Sequence, residues 1–391
     1  MEFLTNSNIE FMKYRKVLVW VSVSLLLLAV VELFFWTGIN LGIDFAGGTQ
    51  LTVKMQQATE IQDLRNLFEE AGQRDVVIQQ YGSDESNEVL IKAPVVEGSE
   101  EGSSQALIEA LTRSLNTGLQ GKVDLNQRGS DAISTVLTQA DPDNRALDED
   151  QGQAHYDALA ASIIANRNSL GILSSWDDVK TDDMSDAAFA ALQSSTGLGG
   201  FHVIQNDNVG PQIGSELRTK GVLAMVLSFL GMLSYIWYRF ELQFGIGAIV
   251  AVVHDFMITL GLYALFDYEF NLPTIAAFLT LVGYSVNDTV VIFDRVRENR
   301  RRHRRRPLEE IINTSINQSL SRTILTSGTT LLVVVCLFVY GGEVLQGFAF
   351  ILMIGVIVGT YSSIYVASPF TLLWEQHFGN RADNRPKAQA A

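Results

Sequence analysis

The sequence predicts a polytopic α-helical membrane protein with six transmembrane helices, and an α+β domain set between the first helix and the second. Three observations carry this expectation. Six stretches are mostly apolar over about 20 residues, the length of helix that crosses about 30 Å of hydrocarbon. Acidic residues crowd into one block: residues 37–216 hold 28 Asp and Glu against 10 Lys and Arg, while the rest of the chain holds 15 against 18. Inside that block the apolar periodicity switches between that of strands and that of helices. The bulk numbers agree, since a mean hydropathy of +0.17 with 18% charged residues is too apolar for a wholly soluble chain and too charged for one that is all membrane. The pI of 4.8 belongs to one soluble domain and says nothing about cationic partners for the whole chain.

The six apolar stretches are Val17–Trp36, Gly221–Tyr238, Leu242–Phe266, Pro273–Phe293, Ile324–Tyr340 and Val344–Trp374. The first continues to Trp36 without a small-residue cleavage site after a short core, so it reads as an uncleaved anchor. The third, fourth and sixth are rich in Gly, Ala and Ser, which lets helix backbones approach closely and predicts a bundle packed against itself and against a partner. Orientation follows from Lys and Arg. Lys13, Arg15 and Lys16 precede the first span, Arg239 follows the second, and Arg295, Arg297, Arg300, Arg301, Arg302, Arg304, Arg305 and Arg306 separate the fourth from the fifth. A six-span model puts all three groups on the cytoplasmic side and the acidic block on the other. The expected division is then an N-terminal segment 1–16, a first span 17–36, an acidic domain 37–217, a five-helix membrane domain 218–374 with a basic loop 294–307, and a cytoplasmic tail 375–391.

The acidic domain opens as a split βαβ, ferredoxin-like pattern on an antiparallel sheet. Thr49–Met55 alternates as a strand, and Glu60–Ala71 has helical periodicity through Ile61, Leu64, Leu67 and Phe68. Asp75–Tyr81 and Glu88–Ala93 read as two further strands around the turn-rich Gly82–Asn87, Gln105–Leu115 as a second helix, and His202–Gln205 as a last strand. From about 130 to 200 the composition shifts to Asp, Gln, Asn, Ala and Ser, with short helical patterns at His155–Ile164 and Ala187–Leu192. That stretch reads as an insertion.

Candidate chemistry sits inside the membrane. Asp288 lies six residues before Asp294, which marks the cytoplasmic surface, so it is about 9 Å deep at 1.5 Å per residue. An aspartate there costs about 2.5–3.5 kcal/mol on insertion scales, and such residues mark ion or proton pathways. Tyr284, Leu281 and Ser285 share its helix face, and Asn287 adjoins it. Arg322 enters the fifth span from the cytoplasmic side, after Leu308–Ser321, which reads as an amphipathic helix along the membrane surface; at that position it can reach the depth of Asp288. Burial raises a carboxyl pKa and a nearby guanidinium lowers it, so movement of Arg322 would switch Asp288 between holding and releasing a proton. His254 and Asp255 form a second buried titratable pair in the third span, readable either as an extension of a proton path or as a structural helix–helix contact.

Other features point away from other chemistries. The single cysteine, Cys336, excludes a disulfide framework and a cysteine-based metal site, and no metal or cofactor is expected. The arginine run has no interleaved aromatics, so it reads as a topology determinant and a contact for anionic inner-membrane lipids, with no nucleic-acid role. Two glycine-bearing segments bracket the acidic domain: 41–49, with Asp44, Gly47 and Gly48, and 209–217, with Gly210, Pro211 and Gly214. Neither joins a strand to a helix with Lys-Ser/Thr at its end, so neither is a phosphate loop; both are expected to make tight turns and to serve as hinges.

Taken together these segments resemble the SecF family. The match rests on Gly-Ile-Asp-Phe-Ala-Gly-Gly at 42–48, Val-Gly-Pro-Gln-Ile-Gly at 209–214 and His254-Asp255. It rests most on Gly-Tyr-Ser-Val-Asn-Asp-Thr-Val-Val-Ile-Phe-Asp-Arg-Val-Arg-Glu-Asn at 283–299 and Ser-Leu-Ser-Arg-Thr-Ile-Leu-Thr-Ser-Gly-Thr-Thr at 319–330. The resemblance implies a member of the resistance-nodulation-division superfamily in the bacterial inner membrane. It implies that the acidic domain is periplasmic, that SecD is the partner in a pseudo-symmetric twelve-span unit, and that the pair docks on the SecYEG translocon, commonly with YajC. The family's membrane aspartate falls on Asp288 and its arginine on Arg322. The insertion at about 130–200 is a departure from the family pattern.

The expected function is a non-enzymatic, proton-driven aid to the translocation of unfolded secretory proteins. Two alternatives belong to other classes: an intramembrane aspartyl protease with Asp255 and Asp288 as its dyad, which needs carboxyls about 3 Å apart, and another exporter of the same superfamily. Such exporters generally carry both halves in one chain, whereas this sequence shows six spans.

Overall fold

The computed structural model describes residues 7–36, 38–73, 75–82, 86–94, 102–119, 121–145 and 149–378. The middle of the turn expected at Gly82–Asn87 and most of the expected tail, 379–391, lie outside the described residues, as do residues 1–6. The chain divides into two compact units, Met1–Phe45 with Glu216–Ala391, and Ala46–Ser215.

The chain enters the first unit through a 3₁₀ turn, Phe11–Tyr14, followed by α1 (Arg15–Val31) and a π-helical turn, Glu32–Trp36. A single helical turn, α2 (Ile43–Ala46), ends the segment.

The second unit builds its sheet from β1 (Gly48–Met55), β2 (Val77–Tyr81), β3 (Glu88–Ala93) and a last strand after the insertion, β6 (Phe201–Val209). Helix α3 (Ile61–Glu70) separates β1 from β2, and α4 (Gly102–Leu115) follows β3. The order is β2-β3-β1-β6 with every neighbouring pair antiparallel, the arrangement expected of a split βαβ repeat. Alternation aims Leu51, Val53, Met55, Val89 and Ile91 at one face, where Leu64 and Phe68 of α3 and Leu107 and Leu111 of α4 complete the core. The register of β6 slips opposite Thr52 and Val53, and Ile204 bulges outward there.

The insertion is longer and more ordered than its composition suggests. It runs from β4 (Val123–Asp124) through α5 (Ser130–Ala140), α6 (Glu149–Leu170), α7 (Trp176–Val179) and α8 (Asp186–Ser195) to β5 (Thr196–Gly197). Its ends close on each other as a parallel two-strand pair, Val123 to Thr196 and Asp124 to Gly197, so as a folded piece the stretch begins at 123, ahead of the change in composition. The shift has a physical cause, because closure needs a ladder that a composition change cannot mark. Ile133, Leu137, Tyr156, Leu159, Ile163, Leu173 and Leu192 give the insertion a core of its own.

A buried polar seam ties the insertion to the sheet. Asn126, fully buried, donates to the carbonyls of Leu173 and Gly199 at 3.0 and 2.8 Å and accepts from Leu173 N at 2.9 Å. Arg167 donates to the carbonyls of Leu125 and Arg128 at 2.8 and 2.7 Å. Asp124 accepts from Gly199 N and from Asn116 Nδ2, at 2.9 and 2.7 Å. His202 Nδ1 contacts the carbonyl of Asn126. Burial pushes the Asp124 carboxyl above the usual carboxylate range, against two backbone N–H donors and the charges of Arg167 and Arg128. Burial holds the His202 imidazole below the usual histidine range, outweighing its hydrogen bond to Asn126 and helped by the Arg167 charge.

The first unit continues with α9 (Pro211–Arg239), α10 (Leu242–Leu265), α11 (Leu272–Arg302), α12 (Leu308–Tyr340) and α13 (Glu343–Ser362). A π-helical turn, Ser363–Ala367, joins α13 to α14 (Ser368–Phe378). Among the described residues six helices are long and apolar enough to cross a membrane, as the sequence predicts. The core of the bundle is α10, α11 and α13, where phenylalanines 244, 278, 293 and 350 interleave. Glycine permits the close approaches. A Cβ on Gly261 would sit 2.4 Å from Ala29 Cβ, and one on Gly355 2.3 Å from Leu281 Cδ1.

Two expectations need correction. Leu308–Ser321 is not a separate surface helix: it is the first half of the unbroken α12, because its apolar face (Ile311, Ile312, Ile316, Leu320) is buried in the bundle core. Nor is Gly214 in a turn. Pro211 opens α9 and the Gly214 N–H donates to the carbonyl of Gly210 at 2.9 Å, so the segment is a helix start. The other segment does turn as expected, with Gly47 and Gly48 at φ +76° and +147°. A Cβ on Gly47 would stand 3.2 Å from Pro211 Cα, so the two glycine-bearing segments meet and glycine is required there on both counts.

The polar seam predicts a pH response. The folded pKa of His202 lies below its unfolded value, so between the two the unfolded chain binds the extra proton and stability falls as pH drops below about 6.5. Asp124 has the opposite sign and acts in a more acidic window, nearer the carboxylate range. Hydrogen exchange over residues 116–128 and 196–202 of the full chain should accelerate between pH 7 and pH 5.5, beyond the change in intrinsic rate. In His202→Gln that excess should be lost.

Candidate intramembrane carboxylate site

Asp288 occupies the middle of α11 and is 2% exposed. Its Oδ2 accepts hydrogen bonds from Ser327 Oγ of α12 at 3.2 Å and from Thr360 Oγ1 of α13 at 3.3 Å. Those two hydroxyls are 2.8 Å apart, and Tyr284 OH, one turn from Asp288, donates to Ser327 Oγ at 3.2 Å. Each hydroxyl has one proton, so if Ser327 or Thr360 donates to the other, the carboxyl loses a donor.

Asp255 is fully buried in α10 and held more tightly. Ser285 of α11 and Ser362 of α13 donate to its Oδ2 at 2.5 and 2.7 Å, and His254 Nδ1 lies 2.9 Å from its Oδ1. The His254 ring stacks on Tyr361, whose hydroxyl donates to the carbonyl of Leu18 in α1 at 2.7 Å. Below this layer Thr289 and Ser363 share a hydrogen bond of 2.8 Å. Gly359 lets α13 come this close: its Cβ would lie 3.2 Å from Ser285 Cβ and 3.6 Å from Asp255 Oδ2.

The expected residues distribute as follows. Asp288 and Tyr284 come together, and His254 and Asp255 form a second centre beside them. Ser285, expected on the face of Asp288, turns to Asp255 instead. Asn287 is exposed and takes no part. Arg322 does not form an ion pair with Asp288. It is exposed on α12, five residues before Ser327, and lines a cleft of about 320 Å³ with Val291, Asp294, Arg295, Glu298, Gln318 and Ser319. The helix axis separates positions 322 and 327 by about 7.5 Å, which places the guanidinium at the mouth and the carboxyl within. Asp44 has a structural contact, since its Oδ2 accepts from the N–H of Leu272, at the start of α11, at 3.0 Å. Gly42 N bonds to the carbonyl of Phe270, and Phe270 N to that of Asn40, so the strand-like segment before α2 is sewn to the α10–α11 connection. A proton-sharing contact between Asp255 and Asp288 is absent among the described residues: each carboxyl has its own hydroxyls, and both oxygens of Asp255 are engaged.

Sequence reasoning missed Ser327, Thr360, Ser362 and Gly359. The usable signal was weak: hydroxyl and glycine residues in spans otherwise apolar, with Gly355 and Gly359 one turn apart.

Comparison with known proteins places these residues in a lineage. The family model described as protein export membrane protein SecD/SecF, C-terminal, matches residues 190–377, and the SecD/SecF GG motif model matches residues 34–59. The protein translocase subunit SecF of Koribacter versatilis is 41% identical over 389 residues, covering 97% of this chain and 95% of that one. That of Desulfurispirillum indicum is 35% identical over 373 residues, covering 95% and 93%. The chain belongs to the SecF family. A crystal structure of SecDF from Thermus thermophilus, a translocon-associated membrane protein, superposes with a TM-score of 0.68 at 30% identity, over 96% of this chain. A crystal structure of SecDF in a super-membrane-facing form gives 0.56. This SecF-family chain spans 40% of the length of either SecDF chain. The resemblance drawn from 42–48, 209–214, 283–299 and 319–330 is therefore borne out.

The close packing of α13 on Ser285 and Asp255 gives a direct test. Gly359→Val adds a branched side chain where a single Cβ already meets a 3.2 Å contact, so helix separation or strain should cost about 1–3 kcal/mol. Thermal unfolding of the detergent-solubilised chain should shift down by several degrees, while Gly231→Val, where a Cβ would meet nothing within 4 Å, should shift it little.

Proposed function

We infer that this chain is the SecF half of a Sec export accessory that uses an ion gradient, with protons as the coupling ion, to promote translocation of unfolded proteins across the bacterial inner membrane. The observation that carries the reading is Asp288, a carboxyl 2% exposed in a bundle of membrane-length helices and hydrogen-bonded by hydroxyls of α12 and α13. Such a group is costly in hydrocarbon and belongs to ion pathways by default. A hydroxyl-lined carboxyl can take and release a proton without stranding a buried charge partner.

The partners follow from the family. SecD supplies the second six-span half, and the SecDF chains, 30% identical over 96% of this one, support that pairing. The SecYEG channel, YajC and the unfolded substrate complete the assembly. The basic groups at 13–16, 239 and 295–306 support an orientation with cytoplasmic termini and a periplasmic 46–215 unit, and they suit contact with anionic lipid. Free energy comes from the gradient: each charge crossing 100 mV supplies about 2.3 kcal/mol. Proton uptake at Asp288 changes how α11, α12 and α13 share hydrogen bonds. The glycine turns at Gly47 and Gly48 and the helix start at Gly210, Pro211 and Gly214 then serve as hinges that convert the change into movement of the outer unit.

Arg322 remains a functional residue in this scheme as the charge at the cytoplasmic mouth. His254 and Asp255 hold three helices together and set the frame in which Asp288 works. The test uses the full chain with its SecD partner in vesicles. Asp288→Asn should lose at least about 90% of the gradient-dependent stimulation of export, in line with the loss of an essential proton carrier. Export by Asp288→Asn that still responds to the gradient as the unaltered protein does would refute the scheme.

A further inference from the structure

One face of α12 carries a row of hydroxyls at four-residue spacing: Ser315, Ser319, Thr323 and Ser327. All four are buried, at 0%, 6%, 3% and 8% exposure. Two contacts fix this row in the seam with α11. At one end Asn299 Nδ2 donates to Ser315 Oγ at 2.9 Å, and at the other Ser327 Oγ donates to Asp288. Thr323 lies between them, one turn from Ser327 toward the arginine-rich end.

Among the buried hydroxyls of α12, Thr323 stands apart in how it uses its proton. Hydroxyls on helices ordinarily donate back to a carbonyl three or four residues earlier. Ser315 does so to Ile311, Ser319 to Ser315, Thr326 to Arg322 and Thr329 to Leu325, at 2.7–3.0 Å. Thr323 Oγ1 is buried and has no hydrogen-bond partner among the described residues. A buried hydroxyl left unsatisfied pays its full desolvation cost, so a group of this kind calls for a polar occupant beside it. The next hydroxyl in the row, Ser319, lines the cleft that Asp294, Glu298, Gln318 and Arg322 surround. Successive positions in the row rise about 6 Å along the helix, the span of two hydrogen bonds through one water.

We propose that Thr323 is the middle carrier of a proton track along α12, joining Asp288 to the cytoplasmic cleft at Ser319, an inference that rests on the gradient-coupled reading of Asp288. The O–H bond of protonated Asp288 breaks, the carboxylate keeps the electron pair, and a proton is delivered to water in the cleft. Each hydroxyl on the way accepts one proton and gives up its own, so the row is unchanged at the end. Asp294 and Glu298 line the mouth already ion-paired, to Arg239 and to Arg295 and Arg302, so the proton leaves to water beside a charge-balanced rim that Arg322 also lines.

Two measurements on the full chain with its SecD partner, in inverted vesicles driven by a pH gradient, test the track. Thr323→Val keeps the shape and removes the hydroxyl. It should lower proton flux by about tenfold or more, the scale of a lost proton-transfer group, while Thr323→Ser should stay near the unaltered rate and thermal unfolding should be the same for both. In a Cys336→Ser background, Ser319→Cys and Thr323→Cys should react with a charged methanethiosulfonate from the cytoplasmic side. Leu325→Cys, on the outward face and 68% exposed in the isolated chain, should react at least about tenfold more slowly, because thiolate formation needs water. The track is overturned by normal flux in Thr323→Val, by failure of Thr323→Ser to restore flux, or by Thr323→Cys that is inert while Ser319→Cys reacts. Loss of flux in Asp288→Asn beside normal flux in Thr323→Val would remove the track and leave the coupling site intact; normal flux in Asp288→Asn would remove the coupling reading, whatever the cysteines show.

Discussion

The membrane half of this protein is organised around an unpaired carboxyl that has to be satisfied inside an apolar bundle. Asp288 makes no ion pair among the described residues; its hydrogen bonds come from Ser327 and Thr360 on two other helices, and the Arg322 charge acts on it only from a distance. Hydrocarbon offers no solvent to take their place, so those two hydroxyls must sit at the depth of the acid. That requirement fixes the rotation of α12 and α13 about their axes and their height relative to α11. Tyr284, donating to Ser327, holds the cradle from the same helix that bears the acid.

Once α13 must reach both Asp288 and Asp255, its own sequence is constrained. Gly355 and Gly359 clear the way for Leu281 and Ser285, and Ser362 then arrives within 2.7 Å of Asp255. Ser363, still bonded to the carbonyl of Gly359, meets Thr289 at the residue where the π-helical turn Ser363–Ala367 begins. The two acids therefore divide the labour. Asp255, taking hydrogen bonds from Ser285 of α11 and Ser362 of α13 and contacted by His254 of its own helix, locks α10, α11 and α13 together. Asp288 has two longer contacts and an α12 partner whose helix is otherwise the most exposed of its neighbours, so it is the looser of the two joints.

Much of this was legible in the residues and some was not, for physical reasons. Span positions follow from length and hydropathy, and the βαββαβ order follows from alternation at Thr49–Met55 and Glu88–Ala93, because burial on one face writes a period into the chain. The depth of Asp288 could be counted from Asp294. What periodicity cannot encode is which hydroxyl faces which acid: Ser285 looked like a neighbour of Asp288 and belongs to Asp255. Arg322 could be placed at the mouth of its helix but not aimed, since an arginine side chain reaches either way from there. The surface-helix reading of Leu308–Ser321 failed because an amphipathic face is the same pattern whether lipid headgroups or a bundle core covers it. The insertion hid its boundary in a two-residue ladder, too short to leave a strand signal.

The absence of an ion pair at Asp288 matters for how a proton could do work. A carboxyl neutralised by a fixed guanidinium gains little from protonation and, once neutral, would strand the cation. A carboxyl cradled by hydroxyls behaves differently, because a hydroxyl can donate or accept. With Asp288 ionised, Ser327 and Thr360 both point their protons at Oδ2. With Asp288 protonated, the carboxyl no longer needs both, and the 2.8 Å contact between Ser327 and Thr360 can take one of those protons. The charge on one side chain is thereby converted into a choice between binding α12 and α13 to α11 and binding them to each other. Helix contacts of this strength are each modest, about 0.6–2 kcal/mol in membranes, which is the same order as the energy one charge gains from the membrane potential. A stronger grip on Asp288 would exceed the energy that one charge gains from such a potential.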